Sequence, residues 1–192
     1  MRNVKEEWIA ELCSAVESRR VHGAKQIYET GCNLADQAIR SWSKNEELAR
    51  LFGGVPQITV GLAVRPQTFA AIREANGSPQ LADVPADQDA SEFELHFAES
   101  ITLDILTTRN PGANGAIAKF LLKFGEGIQQ VEFRCSDVDR ATAVLRENFA
   151  IHAVYPQPRL GANGTRVNFF LASTPDGAKV LIELYELPAA HS

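Results

Sequence analysis

The feature that most constrains this chain is that it carries one folding unit twice. Residues 57–74, QITVGLAVRPQTFAAIRE, lie without a gap over residues 130–147, QVEFRCSDVDRATAVLRE. Gln57 falls on Gln130, Ile58 on Val131, Val60 on Phe133, Ala70 on Ala143 and Ile72 on Leu145, and the Arg-Glu pairs coincide. Further along, LDIL at 103–106 lies over IELY at 182–185, so Asp104 falls on Glu183. Matches in the same order at both ends of a unit point to duplication, and an internal repeat decides architecture before any single element does.

The second copy is the easier to read. Val131 and Phe133 alternate with Gln130, Glu132 and Arg134, the period of a strand with unlike faces. Asp137 then caps a helix whose apolar residues are Val138, Ala141, Val144 and Leu145. Strands are predicted at 151–155, 166–171 and 179–185, separated by Pro156, Pro158, a GANG segment and a PDG turn. The unit therefore reads strand, helix, strand, strand, strand.

In the first copy the strand at 57–64 leads to a helix that Pro66 starts and Asn76-Gly77 ends. A polar loop at 78–90, with a short strand at 80–84, precedes a hairpin of 93–97 and 101–107 around Ala98-Glu99. A linker at 110–115 leads to a helix at 116–124 with Ile117, Phe120, Leu121 and Phe124 on one side, stopped by Gly125 and Gly127.

Before the repeat comes a helical arm. Asn3 and Glu6 form a capping box for a helix with Val4, Trp8, Leu12 and Ala15/Val16 on one stripe, ending at Gly23. A second helix runs through Ile27, Leu34, Ala35, Ala38 and Ile39 to Trp42, and a helical turn at 46–52 leads to Gly53-Gly54-Val55-Pro56. So apolar an arm has to bury its stripe, by packing on the sheet's helices or by dimerisation, or else serves as a lid. The division is an arm over 1–52 and a domain over 53–192, with module one at 55–108, the linker helix at 116–124 and module two at 127–187.

With 192 residues, 45% of them hydrophobic, the chain can build one substantial core. No apolar run reaches the ~20 residues that cross a bilayer, and the start of the chain is no signal peptide, which makes the cytoplasm the expected compartment. A net charge of −5 with dispersed Lys and Arg excludes a phosphate-tracking stripe, so neither membrane nor nucleic acid is an expected partner. Cys13, Cys32 and Cys135 lack metal-ligand spacing and read as reduced thiols, Cys135 as a buried one. The GANG segments carry no P-loop lysine and read as turns, and His22, His152 and His191 are assigned no role.

Strand alternation fixes the rest. If Val131, Phe133, Ile182 and Leu184 pack under helices, then Gln130, Glu132, Arg134, Leu181, Glu183 and Tyr185 face away. The matching faces of the first unit carry Gln57, Thr59 and Gly61, then Glu94 and His96, then Thr102, Asp104 and Leu106. Two such sheets curved about a shared hollow would bring Gln57, Asp104, Gln130 and Glu183 together.

These residues carry a resemblance. Paired strand-helix-strand-strand-strand units with four polar residues from first and last strands resemble the vicinal oxygen chelate superfamily, which includes glyoxalase I and ring-cleaving dioxygenases. The segments AIAKFLLKFGEGIQQVEFRCSDVD, PRLGANGTRVNFF and VLIELYE are most similar to the methylmalonyl-CoA epimerases. The likeness covers 116–186 well, 57–107 loosely and the arm not at all. It implies an α+β fold in which two βαβββ modules form a glyoxalase-like curved mixed sheet, preceded by the N-terminal helical arm.

The resemblance also implies a metal held by Gln57, Asp104, Gln130 and Glu183, although the epimerases have histidine where this chain has Gln57 and Gln130. Two amides and two carboxylates favour Mg²⁺ or Mn²⁺ over Zn²⁺. The same residues also read as a metal-free pocket in which the glutamines hydrogen-bond Asp104 and Glu183. The implied activity is epimerase- or lyase-like chemistry next to a carbonyl, an enolate being stabilised while a carboxylate moves the α-proton. Glu183 would hold the metal and Glu94 would be the base. His96 would share the proton work, replace a missing ligand or stand by as a hydrogen-bonded residue. Glu132 and Arg134 would hold a substrate carboxylate, or pair internally, and Asn168 would face the cavity. The other class on this scaffold is a metal-free binding or sequestering protein; in either case a homodimer acting on a small molecule is expected.

Overall fold

The computed structural model describes residues 4–98, 100–112, 114–174 and 176–189. Asn3, Glu99, Pro175 and the last three residues, where a helix cap, turns and a frayed end are expected, lie outside the described residues. The fold is α+β, and the chain divides into two compact units, residues 1–31 with 59–129 and residues 32–58 with 130–192.

The arm forms helices α1 (Glu6–Leu12), α2 (Glu17–Trp42) and α3 (Glu46–Leu51). Gly23 does not end the first helix; it lies inside α2, and the break falls earlier, at 13–16. There Asn76 Nδ2 donates to the Leu12 carbonyl at 3.0 Å and Arg20 Nη1 to the Ser14 carbonyl at 2.9 Å, satisfying groups that α1 leaves open. Gly23 permits a close approach: a Cβ there would lie 2.6 Å from the Trp8 carbonyl oxygen. Asn45 caps α3 by accepting from the Glu47 and Leu48 N–H groups.

In the first unit β1 (Ile58–Ala63), α4 (Pro66–Ala75), β2 (Ser91–Phe97), β3 (Ile101–Thr107) and α5 (Ala116–Phe124) follow in order. Strand β3 lies between β2, to which it is antiparallel, and β1, to which it is parallel. No strand forms at 80–84. Pro79 and Pro85 lack a ladder donor, and Ala82 makes a single backbone bond, to the Glu92 carbonyl. Leu12, Ile27, Leu62, Ile72, Leu103 and Ile105 are fully buried, and Phe69 stacks edge-on to Phe93 at 4.8 Å. Helix α5 stops at Gly125, φ 75°, and leaves Phe124 exposed rather than buried with Ile117 and Phe120.

The second unit holds most of β4 (Gly127–Arg134), then α6 (Val138–Phe149), β5 (Arg159–Leu160), β6 (Arg166–Ser173) and β7 (Lys179–Glu186), in the order β4-β7-β6-β5. Strand β4 runs parallel to β7, and β6 antiparallel to β7 and β5. The strand expected at 151–155 shrinks to a single bridge, Ala153 to Phe170, and its place passes to β5. Pro156 and Pro158 interrupt any longer ladder. Asp137 accepts from the Arg140 N–H at the start of α6. Trp42 packs edge-on against Phe133 and Phe170, at 5.9 and 6.4 Å, and Phe52 against Phe133, closing a core over one face of this sheet.

Candidate functional site

Residues paired across neighbouring strands point to the same face, so the registers sort the predicted site residues without further assumption. In the second unit Glu132 pairs with Glu183, Gln130 with Leu181 and Arg134 with Tyr185, while Phe169 pairs with Glu183. This is the face away from Trp42. Gln130 joins the two acids: its Nε2 donates to Glu132 Oε1 at 3.1 Å and to Glu183 Oε2 at 2.5 Å. Gln130 and Glu132 are buried, 7% and 8% exposed. Gln130, Glu132 and Glu183, all expected to face away from the helices, share this face, with the glutamine as donor.

Two residues lie elsewhere. Asn168 pairs with Leu184 and shares its face with Phe170 and Ile182, so it points into the helix-covered core, not the cavity side; its Nδ2 donates to the Tyr155 carbonyl. An asparagine there is tolerated because its oxygen also accepts from the Phe169 N–H at 2.9 Å. Gln57 precedes β1 and is exposed, and its Oε1 accepts from Arg134 Nη1 at 3.5 Å. Arg134 is itself exposed, and its backbone N–H also donates to the Gln57 carbonyl at 3.3 Å.

The registers also shift the internal repeat by two residues. Asp104 pairs with Gly61, as Glu183 pairs with Glu132. If Asp104 and Glu183 correspond, Gly61 corresponds to Glu132, and Thr59, buried at 2% exposure, corresponds to Gln130. Gln57 matches Gln130 in letter and not in place. Gap-free matching of two short strands could not detect a slip that preserves parity, since either register keeps the same residues facing away from the helices.

The polar face of the first unit carries Glu92, Glu94 and His96 on β2, and Thr102, Asp104 and Leu106 opposite them on β3. Asp104 is buried, and Glu94 is exposed with its Oε2 3.2 Å from His96 Nε2. His96 Nδ1 lies 3.3 Å from the Thr102 hydroxyl. Glu92, not singled out in the sequence, is the perturbed group: desolvation first and the neighbouring Glu94 second push its carboxyl up to about 7, against the pull of Arg109. Its place on this face was legible, since Glu92 is two residues before Glu94; its burial, the larger cause of the shift, was not. Burial pushes the Cys135 thiol up to about 12, as expected of an inert packed cysteine.

These donors do not make a good divalent-metal site. Gln130 turns its N–H groups, rather than its carbonyl, towards the acids; Gln57 is engaged by Arg134; and a threonine hydroxyl stands at the place equivalent to Gln130. Among the described residues no three His, Cys, Asp or Glu side chains are grouped to hold a metal ion. No described helix is long and apolar enough to cross a membrane.

No protein-family model and no curated protein matches the chain. Solved structures do. Methylmalonyl-CoA epimerase from Mycobacterium tuberculosis is 32% identical over 68% of this chain and 86% of its own, with a TM-score of 0.54. The chain belongs to the vicinal oxygen chelate superfamily. A methylmalonyl-CoA epimerase in complex with methylmalonyl-CoA and NH4+ aligns over 70% of this chain and 95% of its own at 25% identity, with a TM-score of 0.53. A hypothetical protein from Bacillus halodurans, 23% identical over 70% of this chain and 95% of its own at a TM-score of 0.55, supports the fold alone. The superfamily fold thus stands on an observed likeness.

Proposed function

We propose that this chain is an isomerase-like enzyme of the vicinal oxygen chelate superfamily, acting on the carbon next to the carbonyl of a carboxylated acyl thioester. The observation that carries the reading is the pair Glu132 and Glu183, set in register on one strand face and bridged by Gln130, in a chain similar to methylmalonyl-CoA epimerases. An α-proton transfer requires a carboxylate able to take the proton. Glu183, the less buried of the two acids, accepts it and becomes a carboxylic acid, and the C–H electron pair moves into the carbonyl as an enolate. A proton from solvent then adds to the opposite face of the carbon to give the isomer, and Glu183 releases its proton to solvent, which restores the carboxylate and balances the step. Arg134, exposed and with its guanidinium turned toward the Gln57 side-chain oxygen, holds the substrate carboxylate through its planar fork.

In the first unit Glu92 is better suited to proton work than Glu94, because a carboxyl near neutrality is poised in both forms at working pH, whereas Glu94 is exposed and set against His96. A bound divalent ion would supply Lewis-acid stabilisation of the enolate oxygen. The residues standing at the ligand places fit that role poorly, and the steps above are carried by the chain's own side chains.

The test is solvent-deuterium incorporation at the α-carbon of methylmalonyl-CoA, followed by mass spectrometry in D2O. Wild type incorporates deuterium, and Glu183→Gln slows incorporation by about 10²–10⁴, the usual worth of a positioned acid or base. Saturable thioester binding with no incorporation would overturn catalysis and leave the second reading, a binding protein on the same scaffold, which the replacement of imidazole by an amide favours.

A further inference from the structure

We propose that the strand face beside Glu183 carries an apolar subsite for the α-alkyl group of the substrate, and that this group is longer than methyl. The inference rests on the proposed function, which seats the α-carbon at Glu132 and Glu183 and the substrate carboxylate at Arg134. Along β7 the face runs from Tyr185 through Glu183 and Leu181 to Lys179; across β6 the last three pair with Phe169, Leu171 and Ser173. Arg134 stands opposite Tyr185, so the acids lie between the arginine and the leucines. Leu171 is a large apolar side chain left 51% exposed, and Leu181 and Phe169 are half-buried. Tyr155, edge-on to Phe169 at 6.0 Å, walls this shelf on one side. Lys179 Nζ donates to Ser173 Oγ at 2.9 Å and ends it in a polar pair.

The fold does not demand leucine at these places. If Asp104 corresponds to Glu183, the first unit has Glu94 where the second has Phe169, Thr102 where it has Leu181, and His96 where it has Leu171. There the three are joined by polar contacts of 3.2 and 3.3 Å. One copy of the unit is thus polar, and the other apolar and half open, at the same places beside an acid. Hydrocarbon suits the apolar copy, whereas the amide-bearing arm of an acyl-CoA would cover polar groups there without partners. Side chains placed diagonally across two strands, as Glu183 and Leu171 are, stand about 7–8 Å apart. A methyl group on the α-carbon does not span that distance, and a longer chain does.

The test is isothermal titration with methyl-, ethyl-, butyl- and hexylmalonyl-CoA, with α-deuteration in D2O followed separately for each. Each methylene that lies on the shelf should tighten Kd by about two- to fourfold, levelling off where the chain meets the Lys179–Ser173 pair. Leu171→Asn should flatten the series and leave methylmalonyl-CoA binding in place; Leu171→Ala serves if that variant does not fold by near-ultraviolet circular dichroism. Leu122→Asn, which removes a leucine 91% exposed on α5, should keep the series intact. Equal affinities across the series in wild type would overturn the proposal. So would a Leu171→Asn variant that loses methyl and hexyl thioesters to the same extent, since the face would then hold the thioester arm. A chain-length series without deuteration sinks the enzymatic reading and upholds the subsite, while deuteration with a flat series does the reverse.

Discussion

Replacing Glu92 by glutamine tests the electrostatics of the first unit most directly. The Glu92 carboxyl is raised from 4.5 to about 7, with burial the larger cause and Glu94 the next. A carboxyl with a raised folded pKa binds more protons folded than unfolded between those two values, so stability falls as pH rises through that window and is fully present below it. At about 1.4 kcal/mol per unit the shift corresponds to roughly 3 kcal/mol, and allowing for solvent screening and the shared charge of Glu94, about 2 kcal/mol is expected. Glu92→Gln keeps the shape and removes the charge. It should therefore match wild type near pH 4.5 and exceed it at pH 8, by roughly 4–8 °C in midpoint at about 2–4 °C per kcal/mol for a chain of this size. The assay is thermal denaturation by circular dichroism at half-unit steps from pH 4.5 to 8. Parallel curves for the two proteins across that range would refute the reasoning, because they would mean that Glu92 titrates alike in both states.

Other consequences concern packing and the arginine. A Cβ on Gly31 would lie 2.5 Å from Val60 Cγ2, so Gly31→Ala should cost about 1–3 kcal/mol in chemical denaturation, as overpacking does, and Val60→Ala should relieve part of that cost. Trp42→Ala removes the ring that meets Phe133 and Phe170 and should cost about 3–5 kcal/mol, measured by urea unfolding. Arg134→Gln should weaken binding of a carboxylated thioester by about tenfold or more while leaving a neutral acyl thioester unaffected, as read by isothermal titration. Gln57→Ala should leave Mn²⁺ affinity unchanged, since Gln57 faces Arg134 rather than the acids.

The strand parities and the Asp137 helix cap are local properties, and they were legible in the letters. Asp137 before an apolar 3.6-residue stripe and Gln130, Glu132 and Arg134 alternating with Val131 and Phe133 leave few alternatives, and the structure places both as read. Three other features were not determined by local pattern. Gly23 looks like a helix end, but it sits inside α2 because the Trp8 backbone approaches it, a contact between segments that no window along the chain contains. Asn168 is polar, and polarity suggested the cavity, yet the β6 to β7 register carries it into the core beside Leu184. Glu92 has an unremarkable sequence environment, and its raised pKa arises from burial and the side chains the fold sets around it.

The candidate site shows the same division. The sequence determined which residue types face away from the helices, because alternation needs only a period of two. Which of them are neighbours was decided by hydrogen-bonded register, and a slip of two residues changes every partner without moving any side chain to the other face. For that reason Gln130 and Glu183 could be brought together from the sequence, Gln57 and Thr59 could not be told apart, and the direction in which Gln130 turns its amide became visible only once both acids were in place around it.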